Sequence, residues 1–251
     1  MKELSSSYGR VFIGPKEDCF RTAVFLAEGQ RGRNAAKKHF TWGLAGGSTP
    51  QEWYRWCVTK AALSPATLAT AHWFASDERY VRIDSHESNF GNADRLLLRP
   101  LGIPAERKHP WSTNIAPGLA AVEFGRVNAP WFGRDRTFDV CFLGLGEDGH
   151  VASLFPGSPL LRDDGGSYFA ALDEPGKGWR LTVTPSGLRC AGLVVVMVLG
   201  AAKAETLHRV LAGDYDPKQR PAQILKAHAH NVVWLVDEAA AARFLSTESG
   251  A

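Results

Sequence analysis

Short apolar runs recur along the chain and alternate with stretches whose apolar positions fall three or four residues apart. Residues 11–13, 40–45, 71–75, 138–143, 181–184, 193–199 and 232–236 read as strands. Several are apolar at every position, the pattern of strands covered on both faces. Between them, Ala204, Leu207, Val210 and Leu211 make one helical stripe, stopped by Gly213, and Phe20, Val24 and Ala27 make another. This alternation predicts an α/β fold, a mostly parallel sheet with helices on both faces. No internal repeat or low-complexity tract breaks it. A single domain over 1–251 is expected, ordered from about residue 11 to 245, with loops at 157–167 and 213–221 and a frayed tail from Ser246 to Ala251.

The 251 residues are 45% hydrophobic and 22% charged, ordinary values for a globular chain with a sizeable core. The net charge is only +3, with basic residues scattered among acids. No basic stripe marks a nucleic-acid partner, whereas a small anionic substrate needs only two or three cations. Cys19, Cys57, Cys141 and Cys190 are spaced neither as a metal knuckle nor as a redox pair, and read as reduced core thiols. The first ten residues lack an apolar signal core, and the longest apolar run, 193–199, is too short to span a bilayer. A cytoplasmic protein free of membrane contact is expected.

In an open parallel sheet, ligands gather at the carboxyl ends of the strands, so motifs that directly follow strands carry most functional weight. The first is Ala45-Gly46-Gly47-Ser48-Thr49-Pro50-Gln51-Glu52. Two glycines permit a sharp turn and close backbone approach, and Pro50 suits the first position of a helix. A helix start offers free N–H groups and partial positive charge to a phosphate, with the Ser48 and Thr49 hydroxyls beside it. Thr49 and Glu52 equally fit a capping box that needs no ligand. The Gly-Lys-Ser/Thr ending of a P-loop is absent.

The second motif, Gly144-Leu145-Gly146-Glu147-Asp148-Gly149-His150-Val151-Ala152-Ser153-Leu154-Phe155-Pro156, follows the apolar run 138–143. Glycines loosen a loop, which is poor construction unless the backbone must lie close to something. Imidazole titrates near neutrality and can take and return a proton, so His150 is the candidate base, with Asp148 placed to orient the ring or stabilise its charged form. Ser153 lacks a G-x-S-x-G elbow and reads as a capping or packing residue. His228 and His230 have no accompanying cysteines or carboxylates at ligand spacing, so no metal site is expected.

Together the two motifs resemble the 6-phosphogluconolactonase family, and further pieces follow in family order: Asp77-Glu78-Arg79, Ser88-Asn89, Arg180-Leu181-Thr182 and Gly200 to Ala204 with Lys203. The resemblance covers nearly the whole chain. It implies a Rossmann-like α/β fold shared with glucosamine-6-phosphate deaminase and ribose-5-phosphate isomerase. It implies hydrolysis of 6-phospho-D-glucono-1,5-lactone, with His150 as general base. Gly46, Gly47, Ser48, Thr49, Arg180 and Lys203 are expected around the phosphate, and Asp77 and Arg79 near the reacting end. Asp77 can orient a sugar hydroxyl, hold Arg79 or tune the histidine; Asn89 can bind a hydroxyl or cap the helix after Ser88. A δ-lactone is an activated ester, so neither metal, cofactor nor covalent intermediate is required. Arg79 and the glycine-loop N–H groups are candidate oxyanion donors. Lys203 opens a helix, where a cation opposes the dipole unless an anion is bound nearby. The expected partner is the phosphorylated sugar lactone alone, acted on by a monomer or small homo-oligomer. Deaminases carry a glutamate after their histidine where this chain has Phe155, which disfavours a glucosamine-6-phosphate deaminase. Retention of Asp148-Gly149-His150 disfavours a non-catalytic sugar-phosphate sensor. Glu147 and the segment Arg220-Pro221-Ala222-Gln223 are the loosest matches to the family pattern.

Overall fold

The computed structural model describes residues 1–33, 37–133, 135–162 and 165–248. Asp163 and Asp164 of the expected 157–167 loop, and 249–251 of the expected tail, lie outside the described residues. Eleven strands are described: β1 (Lys2–Ser6), β2 (Gly9–Ile13), β3 (Phe40–Leu44), β4 (Ala71–Ala75), β5 (Asp77–Arg79), β6 (Lys108–His109), β7 (Val140–Gly144), β8 (Phe169–Glu174), β9 (Gly178–Val183), β10 (Val194–Val198) and β11 (Val232–Val236). Eight form one sheet in the order β1-β2-β11-β10-β7-β3-β4-β6. Neighbours from β2 to β6 pair in parallel, and β1 adds an antiparallel edge.

The fold is thus mixed α/β with a mostly parallel sheet, as expected. Every residue of β3, β4, β10 and β11 is buried, because helices cover both faces. Trp42 of β3 and Trp73 of β4 are register neighbours and stack at 5.1 Å, and Phe142 of β7 packs edge-on to Trp42 at the same spacing. Among the described residues, no helix is long and apolar enough to cross a membrane. The four cysteines are unpaired; burial pushes the Cys19 thiol up to about 12, so it stays protonated and unreactive.

Two features depart from the sequence reading, and the expected 213–221 loop gains a brace. The 181–184 run belongs to a separate antiparallel sheet, β5-β9-β8, because β9 pairs on one side with β8 and on the other with β5. Ordered structure also begins well before residue 11: polar β1 takes its place through backbone bonding to β2, a pairing that apolar periodicity does not signal. The 213–221 loop leads into a 3₁₀ segment, Pro221–Asn231, and is stapled by buried Gln223, which donates to the Val210 and Asp214 carbonyls and accepts from Asp216 N.

The sheet order sets the site. β3 and β7 lie side by side at the centre. From β3 the chain moves outward to β4, whereas strands after β7 build the sheet in the opposite direction through β10 and β11. Connections leaving the two carboxyl ends therefore diverge, and a crevice opens at that switch point.

Candidate active site

The loop after β7 presents His150 into a cleft of about 210 Å³ at the switch point. A Cβ on Gly146 would sit only 2.0 Å from His150 Nδ1 and 2.8 Å from Asp148 Oδ1. The glycine whose looseness marked this loop is therefore there to admit the imidazole itself. Gly149 takes φ 83° to turn the chain between Asp148 and His150. The loop is closed by Gly146 N donating to His150 O at 2.9 Å and by Gly149 N donating to Gly146 O at 3.1 Å. From outside, Ala222 N donates to Gly149 O at 2.8 Å, and Thr206 Oγ1 to Glu147 O at 2.7 Å. Ala222 belongs to the segment that matched the family pattern only loosely.

Asp148 Oδ1 lies 2.5 Å from His150 Nδ1 and also accepts from the His150 backbone N–H at 3.1 Å. Partial burial would raise the Asp148 carboxyl; its hydrogen bonds from His150 and the charges of His150 and Lys177 outweigh that and hold it well below the usual carboxylate range. The pair thus keeps an ionised partner on Nδ1. Phe155 packs its ring 4.6 Å from the imidazole, an apolar contact where the deaminases place an acid.

The turn after β3 works differently. Helix Ser48–Thr59 starts after Gly47, which takes φ 100°, and no side chain caps it. The alternative capping box does not form: Glu52 pairs instead with Lys16, 2.5 Å away. Pro50 is the third helical residue rather than the first, still within the turn whose N–H groups have no intrahelical acceptor. That first turn carries no acid of its own to offset the positive end of the helix. Gly46 is needed for a steric reason, since a Cβ there would overlap Asn89 Oδ1 at 2.0 Å.

β5 supplies the cleft's floor and flank. Ser153 Oγ donates to Asp77 Oδ2 at 2.7 Å and Ser76 Oγ to Oδ1 at 3.3 Å. Burial pushes the Asp77 carboxyl up, against the Ser153 bond and the charges of His150 and Arg79. Ser153, read as a capping or packing residue, therefore ties the His150 loop to β5. Glu78, to which no role was assigned, is 2% exposed and accepts from the backbone N–H groups of Arg79, Asn89 and Phe90 and from Ser88 Oγ. Burial outweighs these bonds and pushes its carboxyl up to about 6. Ser88 caps the helix Asn89–Ala93, so Asn89 is not the cap; its Nδ2 donates to Asp77 O at 3.0 Å.

His150, Asp77, Arg79, Gly46, Gly47, Ser48, Thr49, Asn89 and Lys203 all line the one cleft. Asp148 stands behind His150. Lys203 stands at the N-terminus of the helix Ala204–Leu211, with Glu147 3.9 Å from its Nζ. Arg180 is the exception among the expected phosphate residues. It is not among the described residues lining the cleft, because its Nη1 is turned onto the carbonyls of Lys177 and Trp179. It sits directly opposite Arg79 in the β5–β9 register. Burial, and after it the Arg79 charge, lower its pKa. Among the described residues, no group of three or more His, Cys, Asp or Glu side chains is arranged to hold a metal ion.

The sequence pattern of the glucosamine-6-phosphate isomerases/6-phosphogluconolactonase family matches residues 17–234, most of the chain. The chain belongs to this family. A 6-phosphogluconolactonase of Synechocystis sp. is 34% identical over 227 residues, covering 88% of this chain and 89% of that one. The human 6-phosphogluconolactonase is 34% identical over 212 residues, covering 82% and 81%. Among solved structures, the 6-phosphogluconolactonase of Trypanosoma brucei superposes with a TM-score of 0.76 at 26% identity, over 92% of this chain and 97% of that one. A monomeric glucosamine-6-phosphate deaminase reaches the same TM-score at 17% identity, over 93% and 99%, and so shares the fold. The family's two named activities therefore sit on one scaffold, and the residues around His150 have to separate them.

Proposed function

We propose that this chain hydrolyses 6-phospho-D-glucono-1,5-lactone to 6-phosphogluconate, the ring-opening step of the oxidative pentose phosphate pathway, with His150 activating the attacking water. The observation that carries the mechanism is the dyad: Nδ1 held by an ionised Asp148, with the ring facing a cleft whose far wall is an uncapped helix start. Phe155 beside the imidazole leaves the deaminase acid without a counterpart.

His150 Nε2 takes a proton from water as the oxygen attacks C1, Asp148 stabilises the resulting imidazolium, and a tetrahedral oxyanion forms. Arg79 is assigned to that oxyanion, since the N–H groups of Gly146, Gly149 and His150 are already engaged within their own loop. On collapse, the C1–ring oxygen bond breaks and His150 returns its proton to the departing oxygen. Asp77 and Asn89 are assigned to the sugar hydroxyls. The phosphate takes the Gly46–Thr49 turn and Lys203, with Arg180 swinging in from beside Arg79, and its binding holds the reacting carbon against the water. The lactone ester is activated, so the scheme calls on no metal and no cofactor. We further assign the protein to the cytoplasm, where its four free cysteines stay reduced. It acts there on a small phosphorylated lactone, with no nucleic-acid partner, as a monomer or small homo-oligomer.

The test is a continuous assay with freshly generated lactone, corrected for spontaneous hydrolysis. Acid release well above the uncatalysed rate is expected. Release of ammonia from glucosamine-6-phosphate, with no lactone hydrolysis, would overturn the proposal.

A further inference from the structure

Lys177 projects from the turn between β8 and β9 and meets the dyad from the side away from the cleft. Its Nζ lies 3.5 Å from Asp148 Oδ2, the oxygen not used by the imidazole. The same ammonium sits 3.7 Å from the centroid of the Phe155 ring, whose centroid is 4.6 Å from that of His150. Lys177, Asp148, His150 and Phe155 thus close a circuit around the base.

We propose that Lys177 is a positioning residue for the lactonase reaction, fixing the plane of the Asp148 carboxylate and through it the orientation of the His150 ring. A carboxylate with one bonded oxygen turns about its Cβ–Cγ axis, a broad torsion; a cation on the second oxygen stops that rotation. The cation–π contact on Phe155 places the ammonium where it reaches Oδ2.

The turn is built to hold this geometry. Gly176 and Gly178, at φ 74° and 71°, flank the lysine. Lys177 N donates to Glu174 O at 2.9 Å. Lys177 is not among the described residues lining the cleft, so it acts through Asp148 rather than on substrate. The charged groups around the imidazole are Asp148 from its own loop, Asp77 from β5 and, across Asp148, Lys177 from the hairpin. The Lys177 and Asp148 side chains are 40% and 39% exposed, and pairs that open add little to stability. The role of Lys177 is therefore orientation, and it rests on the reading of His150 as the base.

The experiment compares wild type, Lys177→Met and Lys177→Arg by lactone kinetics, thermal melting and the proton resonance of the His150 Nδ1–H. In Lys177→Met, kcat is expected to fall about tenfold through misorientation of the base. KM should stay unchanged, the melting temperature should hold, and the Nδ1–H resonance should broaden or vanish. Lys177→Arg keeps the charge and the stacking and should recover most of the rate and the resonance. Wild-type kcat with an unaltered resonance in Lys177→Met overturns the proposal, as does a raised KM at unchanged kcat, which would make Lys177 a substrate ligand. The resonance needs no turnover, so it decides on Lys177 even if wild type fails on the lactone, an outcome that would sink the proposed function instead.

Discussion

The loop after β7 and the turn after β3 face each other across the cleft, yet they are held in opposite ways. Around His150, the N–H groups of Gly146, Gly149 and His150 and the carbonyls of Gly146, Glu147, Gly149 and His150 are paired, with each other, Asp148, Thr206 or Ala222, while Phe155 packs on the ring and Ser153 ties the loop to Asp77. At Gly47 the backbone turns into a helix with no capping side chain and no acid in its first turn. On the proposed function, the first arrangement suits a base aimed before substrate arrives, and the second a helix start left open to the phosphate.

The comparison can be broken most sharply at the base. His150→Ala should lower kcat by about 10²–10⁴-fold while a phosphorylated ligand still binds; near-normal kcat in the same assay would remove His150 from the chemistry. Gly146→Ala should come next. The added Cβ has to displace the imidazole, and a shift of that size is expected to lower kcat on the order of 10²-fold with the melting temperature little changed. An unaffected rate would show that the ring does not need the position seen here.

For the cations assigned to the phosphate, Lys203→Ala and Arg180→Ala should each raise KM roughly tenfold, the scale of one charge-assisted hydrogen bond, and leave hydrolysis of unphosphorylated gluconolactone unchanged. Equal losses on both lactones would mean that these cations do not read the phosphate. A raised KM for Lys203→Ala alone would show that Arg180 stays on the hairpin carbonyls.

The smallest effect lies away from the cleft and separates its chemistry from the fold's own pH dependence. Burial lowers His72 and His109 to about 4, with the nearby ring of His109 adding to the shift at His72. Their rings are hydrogen-bonded at 2.8 Å. Between pH 4 and 6.5 the unfolded chain binds protons that the folded one refuses, so stability rises with pH there and is lost as pH falls from 6.5 toward 4. The melting temperature is expected to drop on the order of 5 °C over that window. His109→Gln should flatten the slope; an unchanged slope would place the acid sensitivity elsewhere.

Much of this was legible in local sequence. Uniformly apolar runs marked the buried parallel strands, and glycines after β3 and β7 marked the two tips of the crevice. Asp148 and His150 announced a dyad because a two-residue spacing on a tight loop already places the carboxylate beside the ring. The less legible features depend on segments far apart in the chain. Ser153 reaches Asp77 across 76 positions, and the Lys177 contact with Asp148 exists only because the β8–β9 hairpin folds over the loop. Glu78 sat inside a recognised motif, but its service to the Asn89 helix is invisible until β5 and that helix meet.

The amino-acid sequence by itself determined the layered α/β architecture, the two strand-tip motifs and the pairing of Asp148 with His150, because each depends on periodicity or on neighbours a few residues away. The tertiary structure alone decided that 181–184 joins an antiparallel sheet, that Gly146 makes room for an imidazole rather than a ligand, that Arg180 rests on a hairpin and that Lys177 braces Asp148. Those outcomes turn on which surfaces meet after the chain has closed, and sequence separation carries no record of distance in space.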